Sequence, residues 1–202
     1  AEALGYHALA LTDHNGLYGS MEFAQQAKGR GIQAITGTEV TLDNGSHLTL
    51  LVETVVGYSN LCRLLSRAHQ ESERNHPRLS RSLLRDHAEG LIALSGCRQS
   101  AIARAVDRGD RAAAEDLIRE YRDWFGADNF LLELQQNHVH GDTARIRALV
   151  ALAKELELEV VATNDVHYHR RERHRLQDTL VAIHHNVSLD NSHRLRRANS
   201  EF

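Results

Sequence analysis

The sequence has few of the residues that mark secreted or membrane proteins. Its 202 residues include one proline and two cysteines. A disulfide-stapled scaffold needs more cysteines, so we expect a reducing compartment, the cytoplasm. The longest uncharged apolar runs, such as residues 48–52, are much shorter than the roughly 20 residues of a membrane-spanning helix, so we expect no membrane association.

A strong excess of charge is also absent. The chain carries 24 basic and 27 acidic residues, a formal net charge of −3. A domain that binds nucleic acid mainly through its overall charge would be strongly basic, so any contact with DNA must be local. The best candidate is the segment 170–197, where arginines outnumber acidic residues. Such a run is typical of a solvated helix face or of a basic patch near phosphate, and the sequence leaves both interpretations open.

Histidine, by contrast, is abundant, with 14 residues in the chain. Histidine is the commonest protein ligand of metal ions and titrates near neutral pH. The composition therefore makes metal chemistry an early hypothesis.

Short β-type runs alternate with helical periodicity along the whole chain, which predicts an α/β domain with a largely parallel sheet, occupying residues 1–202 as one unit. The pattern alone leaves open whether the sheet closes as a barrel or stays open and doubly wound. The predicted strands are 8–12, 32–36, 48–53, 91–95, 130–134 and 159–163.

Potential metal ligands cluster at the ends of these strands, which is where the active sites of both architectures lie. A histidine, cysteine or carboxylate follows five of the six strands, and the remaining strand has a histidine at its start. Imidazole, carboxylate and one thiolate meeting at one rim would suit zinc, or manganese or iron with more oxygen ligands. Taken singly, each residue has an ordinary structural explanation, such as a buried thiol at Cys97 or a solvated loop carboxylate at Glu39.

Several motifs in order resemble the PHP (polymerase and histidinol phosphatase) domain family. They are ALALTDHNGLYG (8–19), GIQAITGTE (31–39), HLTLL (47–51), GYSNLCRLLS (57–66), LSGC (94–97) and VATNDVHY (161–168). Their order is similar to that in bacterial DNA polymerase III alpha subunits, and the run 104–110 with the tail 176–189 favours the error-prone branch. The resemblance covers nearly the entire chain.

The resemblance implies a distorted (β/α)7 TIM-like barrel whose mouth holds up to three divalent metal ions, zinc, manganese or iron. The residues at the family's metal-ligand positions are His14, Glu39, His47, Cys97, Asp165 and His167. We place His138 in a second tier, because the fifth strand carries it to the same rim without a matching family ligand. Asp13 could orient the His14 side chain without binding the metal itself. No catalytic residue is assigned. The family's first strand, with its His-x-His pair, would precede Ala1, so we expect the barrel to lack that strand here.

The function that the resemblance implies is that of a domain within an error-prone DNA polymerase III alpha-type subunit, in DNA replication or translesion repair. Residues 170–202 would lead toward the polymerase region, and the partners would be DNA and other replication or repair subunits. The domain itself would be a metal-dependent phosphoesterase or 3′→5′ exonuclease. Two alternatives stay open, a non-catalytic docking domain of the polymerase and a free-standing PHP phosphatase.

Overall fold

The computed structural model describes all 202 residues as one six-stranded sheet with helices packed against it. The strands are β1 (Ala8–His14), β2 (Gln33–Thr41), β3 (His47–Val52), β4 (Leu91–Leu94), β5 (Phe130–Gln135) and β6 (Val160–Thr163). The helices are α1 (Ser20–Lys28), α2 (Val55–Glu71), α3 (Arg81–Asp86), α4 (Ala101–Asp107), α5 (Arg111–Phe125), α6 (Asp142–Leu156) and α7 (His174–His184). Single 3-10 turns lie at Glu2–Leu4, Arg171–Arg173 and Leu189–Asn191.

The strands follow one another across the sheet in chain order, and β3 runs opposite to the others. It pairs antiparallel with both β2 and β4, whereas β1–β2, β4–β5 and β5–β6 are parallel. The expectation of a largely parallel sheet is therefore wrong around β3. The cause is local, because only the short turn at 42–46 joins β2 to β3, and a parallel pair would need a crossover of a dozen or more residues.

The sheet is open, since β1 and β6 each pair with one neighbour. The predicted α/β class is confirmed, and the curled sheet has the form of part of a barrel. The predicted strand positions are correct, with shifts at their ends. The largest shift is in β2, which continues to Thr41 and so places Glu39 within the strand rather than after it.

The hydrophobic core lies between the central strands and α2 to α6. Leu50 of β3, Leu61 of α2 and Phe130 of β5 are completely buried in it. Helix α5 shows how the sequence builds this packing: Asp110 caps its first turn by accepting a hydrogen bond from the Ala113 amide, and a helical stripe including Ile118 faces the sheet. None of the helices combines the length and the apolar composition that a membrane span requires.

Candidate metal centre

The predicted ligands come to one rim of the sheet from strands of both directions. His14 ends β1, and Asp165 and His167 follow β6, so these residues reach the rim at the carboxyl ends of parallel strands. His47 begins β3, and its antiparallel direction brings that beginning to the same rim. A histidine at the start of a strand is thus placed beside residues at the ends of the others.

The strand register sets the contacts between the first three ligands. His14 and Glu39 are direct partners across the parallel β1–β2 pair. Glu39 faces Thr49 across the antiparallel β2–β3 pair, and His47 lies two residues from Thr49 on the same face. Glu39 Oε1 consequently lies 2.9 Å from His14 Nδ1 and 2.8 Å from His47 Nδ1.

This carboxylate oxygen is the point on which the site converges. Glu39 Oε1 is buried and receives no hydrogen bond of acceptable angle, although the two imidazole nitrogens are close to it. Ligand atoms of His14, Glu39 and His47 all lie within 4.8 Å of one another. A buried carboxylate oxygen between two imidazole nitrogens, with poor hydrogen-bond angles to both, is an arrangement that a divalent cation satisfies, so the donor set fits a metal ion.

The charges of the group favour a cation as well. Burial by itself raises the pKa of Glu39, but the adjacent His14 and His47 outweigh it and hold the pKa well below its ordinary value. The contact with Glu39 in turn raises the pKa of His14 despite partial burial. Glu39 is therefore a carboxylate at neutral pH, the form that binds metal.

Cys97 joins this group from the turn after β4. Its Sγ lies 3.4 Å from His47 Nδ1, and the residue is buried. Burial and the charge of Glu39 raise the pKa of the thiol, so without a cation the sulfur stays protonated. Gly96 makes the approach possible: it has a φ of +88°, and a Cβ there would lie 2.7 Å from the His47 carbonyl oxygen.

Asp165 and His167 form a second group at the same rim. Asp165 has a φ of 47°, and Asn137 fixes the loop by donating a hydrogen bond to the Asn164 carbonyl at 2.9 Å. Asp165 Oδ1 lies 3.7 Å from His167 Nδ1, and the His167 ring centroid is 6.0 Å from that of His14. Burial raises the pKa of Asp165 and lowers that of His167. His14 thus stands between the two groups, because its ring is also 6.0 Å from that of His47.

Two further residues from the sequence prediction lie apart from these groups. The Asp13 carboxylate accepts a hydrogen bond from the Gly19 amide at 2.8 Å and makes none to His14, so it shapes the loop before α1 instead of orienting the imidazole. His138 is exposed in the loop after β5 with a φ of 54°, and it is not in the converging group.

The structure also brings in two residues that the sequence did not single out as ligands or partners. Glu133 of β5 is buried beneath the rim, where it accepts hydrogen bonds from Gln135 at 2.9 Å, Thr49 at 3.3 Å and Thr163. Burial raises the pKa of Glu133. Arg197 reaches Asp165 and His167 from the C-terminal segment. The signal in the sequence that could have identified Glu133 is a polar residue at an inward-facing strand position. The sequence holds no such signal for Arg197, because the residues that it contacts are distant in the chain.

An α/β sheet with histidine and carboxylate side chains gathered at one rim defines an α/β domain with a candidate metal centre, and the comparisons specify its family. The PHP domain family model matches residues 1–137. The chain belongs to the PHP domain family, which confirms the resemblance drawn from its motifs.

Named relatives extend the similarity over nearly the whole chain. The error-prone DNA polymerase of Symbiobacterium thermophilum is 38% identical over 98% of this chain and 20% of its own length. The DNA polymerase III subunit alpha of Thermus aquaticus is 38% identical over 96% of this chain and 17% of its own length. The chain thus spans about a fifth of the length of these two relatives, to which it is equally similar.

A solved structure supports the fold. An amidohydrolase from Chromobacterium violaceum superposes with a TM-score of 0.51 at 18% identity, covering 82% of this chain and 78% of that one. At this identity the likeness concerns the fold alone.

Proposed function

We propose that this chain is the PHP domain of a DNA polymerase III alpha-type subunit, acting in the cytoplasm in DNA replication or translesion repair, and that its rim is a metal-dependent phosphoesterase site of the 3′→5′ exonuclease type. The similarity to DNA polymerases over nearly the whole chain supports the first part. The buried Glu39 oxygen between two imidazoles carries the second.

The residues of the rim would have different roles at such a metal site. The chemistry that a divalent ion supplies when bound is polarisation of a phosphoryl oxygen and a lower pKa for water. Glu39 would hold it with a full negative charge from the buried wall of the site, and His47 and Cys97 would close the same side. The His14 side chain is 54% exposed and so faces the side from which a phosphoester would enter.

The basic segment offers a surface for DNA outside the site. Arg171, Arg196 and Arg197 are paired with carboxylates. Four other arginines of this segment make no ion pair and are exposed, namely Arg170, Arg173, Arg175 and Arg194. Unpaired arginines on one segment favour contacts with the phosphate backbone, so we include DNA and its associated replication or repair subunits as partners.

The test combines metal analysis with a nuclease assay on the 202-residue chain. We expect bound zinc or manganese after dialysis, and loss of at least one equivalent in Glu39→Gln and in a His14→Ala/His47→Ala double variant. His138→Ala, an exposed histidine at the same end of the sheet, should keep the full content. Release of nucleotides from a 3′-labelled single strand should follow the metal content. Metal content that is unchanged in Glu39→Gln would contradict the proposed site.

A docking domain without catalysis is the second candidate. The observation in its favour is the pairing of Asp165 and His167 with Arg197, which engages two of the six predicted ligands with a side chain of the same protein. Absence of bound metal in the parent chain and of nuclease activity would favour this role.

A further inference from the structure

The C-terminal segment lies across the rim as a strap, which we define as residues 192–202. Asn199 donates a hydrogen bond to the Asn137 carbonyl at 2.8 Å, and Asn137 donates one to the Glu201 carbonyl at 2.8 Å. Arg171 pairs with the Glu201 carboxylate at 2.6 Å. The strap is therefore attached to the loop after β5 and to the 3-10 turn after β6, independently of Arg197.

The strap places one positively charged side chain, Arg197, against two of the predicted ligands. Arg197 Nη1 lies 3.2 Å from Asp165 Oδ2, and its Nη2 contacts the His167 ring nitrogens. The guanidinium also stacks on Phe202, 4.8 Å from the ring centroid, and Phe202 is only 6% exposed. The Asp165 side chain is 12% exposed and that of His167 is 14% exposed, so the guanidinium contacts both where little water reaches them.

The half of the rim formed by His14, Glu39 and His47 has no such positively charged side chain. The ion-pair partners of Glu39 are His14 and His47, and no lysine or arginine pairs with it. The Glu39 carboxylate is therefore paired only with imidazoles, which can release their protons to bind a metal ion, whereas the Asp165 carboxylate is already paired with a fixed positive charge.

A metal ion held by Asp165 and His167 would have to share these ligands with the guanidinium or displace it. Like charges separated by a few ångströms repel strongly where water is excluded. We infer that Arg197 is a specificity-determining residue that limits metal loading: it occupies the Asp165–His167 half of the rim as an internal counter-cation, so that metal binds first at His14, Glu39 and His47. This inference rests on the proposed function, because it concerns the same site.

The experiment is a zinc titration of the 202-residue chain against a competing chelator, comparing the parent with Arg197→Ala, Arg197→Gln and Arg194→Ala. Arg194 is the matched control because it is an exposed strap arginine without an ion-pair partner. Removal of the Arg197 charge should add a zinc equivalent or tighten the weaker one by about tenfold or more, since it removes a like charge at close range. Arg194→Ala should titrate like the parent. Arg197→Gln keeps a long polar side chain, so it gives the result if Arg197→Ala does not fold.

A further variant locates the effect. Adding Asp165→Ala to Arg197→Gln should abolish the gain, because the second equivalent would lose its carboxylate. If the Arg197 variants titrate like Arg194→Ala while the parent binds zinc through Glu39, this inference is overturned and the proposed function stands. If none of the proteins binds zinc or, in the same titration, manganese, both are overturned.

Discussion

The central strands β2 to β5 and the edge strands β1 and β6 differ in the interactions that stabilise them. Each central strand contributes buried residues, and the hydrophobic core contains none from β1 or β6. Leu50 in β3 is completely buried, whereas Leu9 in β1 is 37% exposed and Val160 in β6 is 42% exposed. The edges depend instead on backbone pairing with a single neighbour and on polar contacts.

The predicted ligands are divided between these two regions. Glu39, His47 and Cys97 lie on the well-packed central part of the sheet, and His14, Asp165 and His167 lie on or beside the edges. The site therefore combines ligands from the part of the sheet that forms the core with ligands from its less well packed edges. A metal ion bound by both parts would stabilise the folded edges, since a ligand that binds only the folded state raises its stability.

The largest expected effect compares one leucine from each region. Leu50→Ala should lower the free energy of unfolding by about 3 kcal/mol, because it leaves a cavity in a packed core. Leu9→Ala should cost less than about 1 kcal/mol, because the side chain is already partly in water. Urea unfolding of the metal-free proteins measures both. Equal losses would show that the edge is as well packed as the centre.

A smaller effect is expected at the turn that carries Cys97. Gly96→Ala should cost about 2 kcal/mol, because it combines an unfavourable φ with a Cβ 2.7 Å from the His47 carbonyl oxygen.

Gly109→Ala is the matched control for this turn, since Gly109 has a φ of +71° and nothing within 4 Å of a Cβ. It should cost only about 1 kcal/mol and leave zinc binding unchanged. Gly96→Ala should also weaken zinc binding, which a titration measures. If both variants lower the free energy of unfolding by the same amount, the close approach of residue 96 to the His47 carbonyl adds nothing to the cost of Gly96→Ala.

The smallest effect concerns the ion pair between His14 on the edge strand β1 and Glu39 on the central strand β2. The contribution of this pair to the free energy of unfolding depends on pH. A carboxylate whose pKa is lowered on folding adds stability above its ordinary value of 4.5 and loses it as pH falls through the folded pKa. A histidine whose pKa is raised adds stability below 6.5 and loses it as pH rises through the folded value. The contribution of His14 and Glu39 should therefore be greatest between about pH 4.5 and 6.5.

Glu39→Gln tests this dependence. In the presence of a chelator it should lower the free energy of unfolding by about 1 kcal/mol at the middle of that range, and by less at higher and lower pH. Glu71→Gln, on the exposed face of α2, serves as the control and should show little change at any pH. A loss from Glu39→Gln that is the same at every pH would contradict the ion pair.

Much of the fold could be predicted because its determinants are local. The periodicity placed every strand, with shifts only at the strand ends. The direction of β3 was not predicted, although the absence of a helical pattern between β2 and β3 was a usable signal. The six ligands came from motif resemblance, and the structure brings His14, Glu39, His47 and Cys97 into contact, while their role as ligands stays a prediction.

The element types, the family and the residues with metal-ligand chemistry could be read from the amino-acid sequence, because periodicity and motifs are properties of short segments. The three-dimensional fold was needed to show that Glu39 Oε1 lies between two histidines, that Glu133 is buried beneath the rim, and that Arg197 reaches Asp165 from 32 residues away. Those contacts depend on strand register and on where a distant segment returns, and both are set by packing of the whole chain.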